Sequence, residues 1–261
     1  IIECFIYYHN YLCAMRFFID ITYKGTNYHG WQIQENVPSI QEEINKSLNL
    51  VLNQKVSVVG AGRTDTGVHA RQMFAHFDYN KNIDFSTLLS KLNGCLPSDI
   101  SINKIFEVKS DVHSRFDALS RTYKYFIHHQ KDPFCANSYF LAKKLDVKLM
   151  NMSCKYLLGE KDFTSFSKKN TQVHTNICNV RYAKWEEKNN KLIFTIESNR
   201  FLHNMVRSIV GTLIKVGQLK IDYKSIYNIL QKKDRSAAGF SVPAKGLFLT
   251  KIEYPKSIHY V

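Results

Sequence analysis

The chain has 261 residues, 44% of them hydrophobic, which is enough to bury the core of one large domain or two modest ones and excludes a largely disordered polypeptide. Lys and Arg number 36 against 22 Asp and Glu, a formal charge of +14, so the balance favours a polyanionic partner. No run of 18 apolar residues occurs, which excludes a membrane-spanning helix, and the six cysteines form neither a C-x-x-C pair nor a metal-like spacing with His, so free thiols in a reducing compartment and no metal site are expected.

Residues Ile1–Ala14 are apolar and aromatic but lack the basic start of a signal peptide. They are expected to be an extension without functional weight, with Met15 as the natural start. From Arg16 to Tyr23, alternation of Phe17, Ile19, Ile21 and Tyr23 predicts a strand. Ser39 and Glu42 form a capping-box signature before Ile40, Ile44, Leu48 and Leu52, which fall at helical spacing. A short strand over Lys55–Val59, a glycine-punctuated loop from Gly60 to Ala70 and a strand over Met73–Phe77 follow. A short helix at Ser86–Leu92 and a strand at Ile100–Val108 complete a β-α-β-β-α-β order. That order suits a ferredoxin-like half with an antiparallel sheet.

A second round begins after a boundary near Asp111–Phe116. It predicts a strand at Arg121–His129, a helix at Val147–Leu158 capped by Asp146, and a hairpin of Val180–Glu186 with Leu192–Glu197 across Asn189-Asn190. Leu202, Val206, Ile209, Leu213 and Val216 predict a long helix, Tyr223–Leu230 a short one, and Leu247–Tyr254 a strand. The fold class expected is therefore α+β. The expected organisation is an extension at 1–14, an N-terminal half at 15–112 and a C-terminal half at 113–261.

The segment GAGRTDTGVHA, Gly60–Ala70, carries the densest chemistry. Its glycines allow a tight path, and Arg63, Asp65 and His69 lie within seven positions between two strands. It lacks the Gly-Lys-Ser/Thr ending of a P-loop and the G-x-G-x-x-G spacing of a dinucleotide fingerprint. Turn chemistry alone leaves two readings of Asp65: a reactive carboxylate, or a turn former paired with Arg63.

The wording of this loop resembles the catalytic signature A-G-R-T-D-x-G-V-H of the TruA-type tRNA pseudouridine synthases. Further stretches resemble that family in the same order. They are Tyr28-His29-Gly30-Trp31-Gln32, Ser39-Ile40-Gln41-Glu42, Arg115-Phe116-Asp117-Ala118, Arg121-Thr122-Tyr123-Lys124-Tyr125, Gly159–Phe166, Leu202–Gly211 and Pro243–Leu249. The resemblance covers Met15 to Tyr254.

It implies two ferredoxin-like (RRM-like) halves whose antiparallel sheets meet at a central catalytic cleft. It also implies a cytoplasmic homodimer acting on tRNA at uridines 38, 39 and 40 of the anticodon stem-loop. The reaction breaks the glycosidic bond of a uridine and rejoins the uracil through C5, so no cofactor or metal is implied. By motif, Asp65 takes the place of the catalytic aspartate, able to attack C1′ or C6 or to remove a ribose proton. Arg207 takes the place of its counter-ion, and Tyr123 that of the tyrosine that stacks on the target uracil. Arg63 corresponds to the arginine that helps displace the nucleotide, and Leu247 to a leucine beside the base. Arg121 is expected to contact phosphate or to support the loop.

His69 and His203 are read as hydrogen-bonded structural histidines. Trp31 and Gln32 are expected to brace the loop. Lysines concentrate in two stretches, seven between Lys143 and Lys169 and five between Lys215 and Lys233, which suit a phosphate surface. Two rival readings stand beside this one. A noncatalytic RNA-binding protein would have no need of a carboxylate among phosphates, and a glycosidase would need a second acidic partner.

Overall fold

The computed structural model describes residues 15–168 and 174–259. The expected extension Ile1–Ala14 and Lys169 of the first lysine stretch lie outside the described residues. Strand β1 (Met15–Tyr23) carries the alternation read from the sequence, with Phe17, Ile19, Ile21 and Tyr23 buried. Helix α1 (Ile40–Leu52) starts at Ser39, whose hydroxyl oxygen accepts the Glu42 N–H at 3.4 Å. Only this arm of the expected capping box forms, because the Glu42 carboxylate pairs with Lys46 one turn on, at 2.8 Å.

The expected strand over 55–59 shrinks to β2 (Val59–Gly60). Asn49 and Asn45 of α1 accept the N–H groups of Val56 and Val58 at 2.6 and 2.9 Å, so side chains satisfy donors that a neighbouring strand would otherwise take. Strand β3 (His69–Tyr79), helix α2 (Phe85–Cys95) and strand β4 (Ile100–Val108) follow.

The second round opens with β5 (Ser120–His128), which pairs with the two-residue β6 (Tyr139–Phe140). Asp146 caps α3 (Val147–Cys154) by accepting the Leu149 N–H at 2.9 Å. This helix ends four residues before the expected Leu158 and tightens into a 3-10 turn over Lys155–Leu157. Strand β7 (Gly159–Asp162), which no apolar alternation announces, lies beside β8 (Ile177–Lys188). The hairpin to β9 (Lys191–Ser198) turns at Asn189 and Asn190 with φ of 51° and 57°, the double left-handed geometry that matches strand twist. Helix α4 (Met205–Gly217) starts after Leu202 and buries most of its surface. Helix α5 (Ser225–Lys232) and strand β10 (Leu247–Glu253) follow.

The fold is mixed α/β, built on one ten-stranded sheet in the order β4-β1-β3-β10-β5-β9-β8-β7, with β2 on β3 and β6 on β5. Pairing is antiparallel except at β3–β10 and β5–β6. The β3–β10 ladder is short, joining only His69 and Ala70 to Phe248 and Leu249. β2 takes the other end of the same edge of β3, opposite Ala75 and His76. Residues 61–68 therefore leave and re-enter the sheet in the gap between β2 and β10. Two apolar cores flank this seam, one under α1 and α2 and one under α3, α4 and α5. Tyr123 packs against both, and Val68 of the loop inserts into the second.

Candidate active site

Mainly backbone hydrogen bonds fix the loop at the seam. The Ala61 N–H donates to Phe74 O at 2.8 Å, Trp31 N–H to Thr64 O at 3.2 Å, and Gly67 N–H to Tyr28 O at 3.2 Å. Thr64 also shares a hydrogen bond with the buried Tyr23 hydroxyl, 2.8 Å away. Asp65 begins a turn closed by the Val68 N–H on Asp65 O at 3.1 Å, with Gly67 third at φ 76°. That position of a type II turn calls for glycine. Gly30 serves differently: a Cβ there would lie 2.4 Å from Thr64 O, so only glycine lets the two turns touch. Trp31 braces the loop as expected, since its N–H holds Thr64 O and its indole packs where a Cβ on Gly60 would stand. Gln32 turns away, and its amide donates to Gln41 Oε1 at 2.9 Å.

This scaffold carries the Asp65 carboxylate to the first turn of α4. Arg207 Nη1 lies 3.2 Å from Asp65 Oδ2, across 142 residues of sequence. Arg207 is itself held in place. Its Nε donates to Val242 O at 2.8 Å, and its backbone carbonyl accepts the Val242 N–H at 3.3 Å. The other carboxylate oxygen meets His203: Nε2 lies 3.3 Å from Asp65 Oδ1. Arg207 comes from the first turn of α4 and His203 from the turn just before it, so the carboxylate lies near the positive end of a helix dipole.

His203, read from sequence as a hydrogen-bonded structural histidine, pairs with the acid itself. Its side chain is 47% exposed and sits against the central acid. It stands in the turn before α4, where Asn204 at φ 66° redirects the chain, so no helical spacing announces its place beside Arg207. His69 does behave structurally. Its Nδ1 accepts the Gly25 N–H at 3.0 Å, which leaves Nε2–H to donate to Lys245 O at 3.1 Å. Burial lowers its pKa and keeps it neutral.

Tyr123 stands on the same face of β5 as the buried Tyr125, with its ring edge-on to Phe201 at 5.1 Å. Burial, and then the Asp65 carboxylate, raises the Tyr123 phenol above its ordinary pKa, so it remains protonated. Leu247 opens β10 opposite Tyr125 and is buried in the second core.

Arg121 is committed to the backbone. Its Nη1 donates to Ala118 O and Asn199 O, and its Nη2 to Ala61 O and Arg115 O, all between 2.6 and 3.0 Å. Of the two roles expected for it, this geometry favours loop support, because few donors remain for a phosphate. Arg63 is exposed and makes no ion pair among the described residues, so the alternative pairing of Arg63 with Asp65 does not form.

Among the described residues no group of three or more His, Cys, Asp or Glu is arranged to hold a metal ion. Cys95, Cys135, Cys154 and Cys178 are free thiols, and burial pushes the Cys154 thiol up to about 12. What the site offers is a carboxylate gripped on one oxygen by a fixed guanidinium and met on the other by a half-exposed imidazole, beside a protonated phenol.

Comparison with known proteins gives this geometry a setting. A family profile described as tRNA pseudouridine synthase matches residues 21–117 and 153–255, spans that contain Asp65, His203 and Arg207. A tRNA pseudouridine synthase A of Bacteroides thetaiotaomicron is 47% identical over 247 residues, covering 93% of this chain and 92% of that protein. The like-named protein of Buchnera aphidicola is 41% identical over 92% of this chain and 91% of its own length. That of Francisella tularensis is 38% identical over 92% and 94%. Similarity of this extent, running through both flanks of the seam and the loop between them, places the chain in the tRNA pseudouridine synthase family.

Proposed function

We propose that this chain isomerises uridine to pseudouridine at positions 38, 39 and 40 in the anticodon stem-loop of tRNA, with Asp65 as the catalytic carboxylate. The observation that carries the reading is the Asp65–Arg207 contact, which joins the loop and helix on either side of the seam. A bond at C1′ or C6 of uridine can be attacked by a carboxylate, and the same carboxylate can instead take a ribose proton. Arg207 acts as counter-ion and positioner. Tyr123 stacks against the uracil and assists the transfer of the proton that leaves C5 once the new bond to C1′ has formed. Arg63, without an ion-pair partner among the described residues, enters the space left by the displaced nucleotide and pairs with phosphate. Leu247 contributes from below as part of the core, and Arg121 positions the loop. The basic surface supports tRNA as the partner, and binding should weaken steeply with salt.

The finer architecture follows from strand order. Within β1–β4 the order is β4-β1-β3-β2, and among β5, β8, β9 and β10 it is β10-β5-β9-β8. Each is the fourth-first-third-second order of a ferredoxin-like unit, which supports two such halves, 15–112 and 113–261, fused edge to edge. A homodimer working in the cytoplasm completes the reading, with tRNA lying across both subunits.

The reading is tested by incubating unmodified tRNA with the wild type and with Asp65→Asn and mapping pseudouridine along the anticodon arm. Product from the wild type alone is expected. No product from the wild type would overturn the reading in favour of a noncatalytic RNA-binding protein, and an abasic product would indicate a glycosidase.

A further inference from the structure

The residues between β4 and β5 hold a feature that the reaction does not use. Phe116 is 75% exposed, yet it is presented rigidly. His113 Nδ1 accepts the N–H groups of Arg115 and Phe116 at 3.0 and 3.4 Å. The Asp117 carboxylate accepts the His113 N–H at 2.6 Å, and the Asp117 N–H returns to His113 O at 3.1 Å. The His113 ring lies 4.3 Å from the Phe116 ring at 36°, and the Arg115 guanidinium carbon lies 5.7 Å from the Phe116 centroid. A solvent-facing phenyl ring ordinarily gains little from such order. Here a closed turn, an imidazole and a guanidinium all fix its plane.

This turn is tied to the loop that carries Asp65. Arg121 Nη2 holds Arg115 O at 2.6 Å and Ala61 O at 3.0 Å, so one guanidinium group clamps both backbones. Ser114 Oγ donates to Val59 O at 2.7 Å, which fastens the turn to β2 as well. The Asp117 carboxylate is occupied by the His113 N–H, and the guanidinium groups nearby stay unpaired. Arg63, Arg115 and Arg200 have no carboxylate partner among the described residues, and burial, with a smaller part from Arg115 and Arg200, lowers the pKa of Arg121. An oriented aromatic face, an adjoining guanidinium and unpaired arginines suit a flat ring attached to phosphate.

We propose that Phe116, with Arg115 beside it, is a stacking platform for a nucleobase of the bound RNA, next to the uridine that Asp65 engages. The inference rests on the proposed function and deepens it. The platform holds a base that lost its neighbour when the target left the stack, offsetting part of the cost of extrusion. Recognition is through the π-face and is therefore tolerant of base identity, as suits a site that serves three adjacent positions.

The test uses the full chain and an anticodon stem-loop RNA carrying 2-aminopurine beside the target uridine. Binding to wild type should change the probe fluorescence by stacking on Phe116. Phe116→Ala should abolish that change and raise KM about tenfold, the loss of one base–aromatic stack, with kcat altered less than about twofold. Phe116→Tyr should restore both. Unchanged KM and fluorescence in an active Phe116→Ala protein would overturn the platform while leaving the isomerase reading intact. Full rescue by Phe116→Leu, or a change in oligomeric mass in Phe116→Ala, would also overturn it, since either marks an apolar protein contact. A wild type that forms no pseudouridine would instead remove the reading on which the platform stands.

Discussion

The two sides of the Asp65–Arg207 contact are held by different physics. The loop on the first side is fixed by polar contacts: backbone hydrogen bonds to Phe74, Trp31 and Tyr28, a turn that requires Gly67, and the Tyr23 hydroxyl on Thr64. The helix on the second side is fixed by burial. Val206, Ile209, Val210, Leu213, Ile214 and Val216 of α4 all lie in the core, each worth about 1.5–3 kcal/mol of apolar transfer. A loop held by directional bonds places an oxygen precisely but fails when one bond is lost. A helix held by area tolerates small changes and fails when volume is forced on it. The site joins a precise part to a robust one.

Substitutions can break that contrast in order of size. Asp65→Asn is expected to reduce pseudouridine formation by at least about a thousandfold while leaving thermal unfolding nearly unchanged, measured by product mapping and calorimetry. Equal activity would remove Asp65 from the chemistry. Arg207→Ala should cost about a hundredfold or more in kcat. At an effective dielectric near 20, unit charges about 4 Å apart attract by about 4 kcal/mol before desolvation. Arg207→Lys should recover only part, because Lys cannot hold Val242 O and Asp65 together in one planar fork.

Two glycines sharpen the comparison directly. In α4, a Cβ on Gly211 would lie 1.8 Å from the Phe240 carbonyl oxygen. Gly211→Val should therefore destabilise the fold by about 2–4 kcal/mol in urea. Gly67→Ala, a left-handed position in the loop, should cost about 1–2 kcal/mol of stability but proportionally more activity, because it displaces Asp65. If the two variants lose stability and activity in the same proportion, the contrast between the sides fails.

A further effect is one of pH. Burial lowers the His76 pKa to about 4, below its ordinary 6.5, and its Nδ1 is within 2.9 Å of Ser114 Oγ. The unfolded chain therefore binds the extra proton first. The contribution is fully present above about pH 6.5 and is lost as pH falls toward 4. It should amount to about 2 kcal/mol after solvent screening is discounted. Urea midpoints between pH 7.5 and 4.5 should fall in the wild type and flatten in His76→Gln.

Sequence periodicity located the long elements well, since Phe17, Ile19 and Ile21, or Val206, Ile209 and Leu213, carry their burial pattern in one local stretch. It failed where satisfaction came from elsewhere. β2 looked longer because Asn45 and Asn49 supply the bonds that its residues would have sought in a neighbour. β7, Gly-Glu-Lys-Asp, is exposed and polar, so no alternation marks it. The β3–β10 join is two residue pairs long and separated by nearly 180 positions, beyond any periodic signal. At the site, Asp65 and Arg207 were legible through ordered motifs rather than through spacing. His203 stayed hidden because a left-handed turn at Asn204, not helical spacing, brings it to Asp65.

The seam also has a consequence in time. Strands β1, β3 and β4 can pair as soon as they are synthesised, and the loop bearing Asp65 can close on Trp31 and Tyr28 while the ribosome is still translating. Arg207, Val242 and the β10 residues that meet His69 and Ala70 arrive more than 130 positions later. A nascent chain thus carries its acid without the cation that orients it. On the proposed function, competence would begin only once residues near 250 have cleared the ribosome, leaving an unfinished polypeptide chemically silent toward the RNA around it.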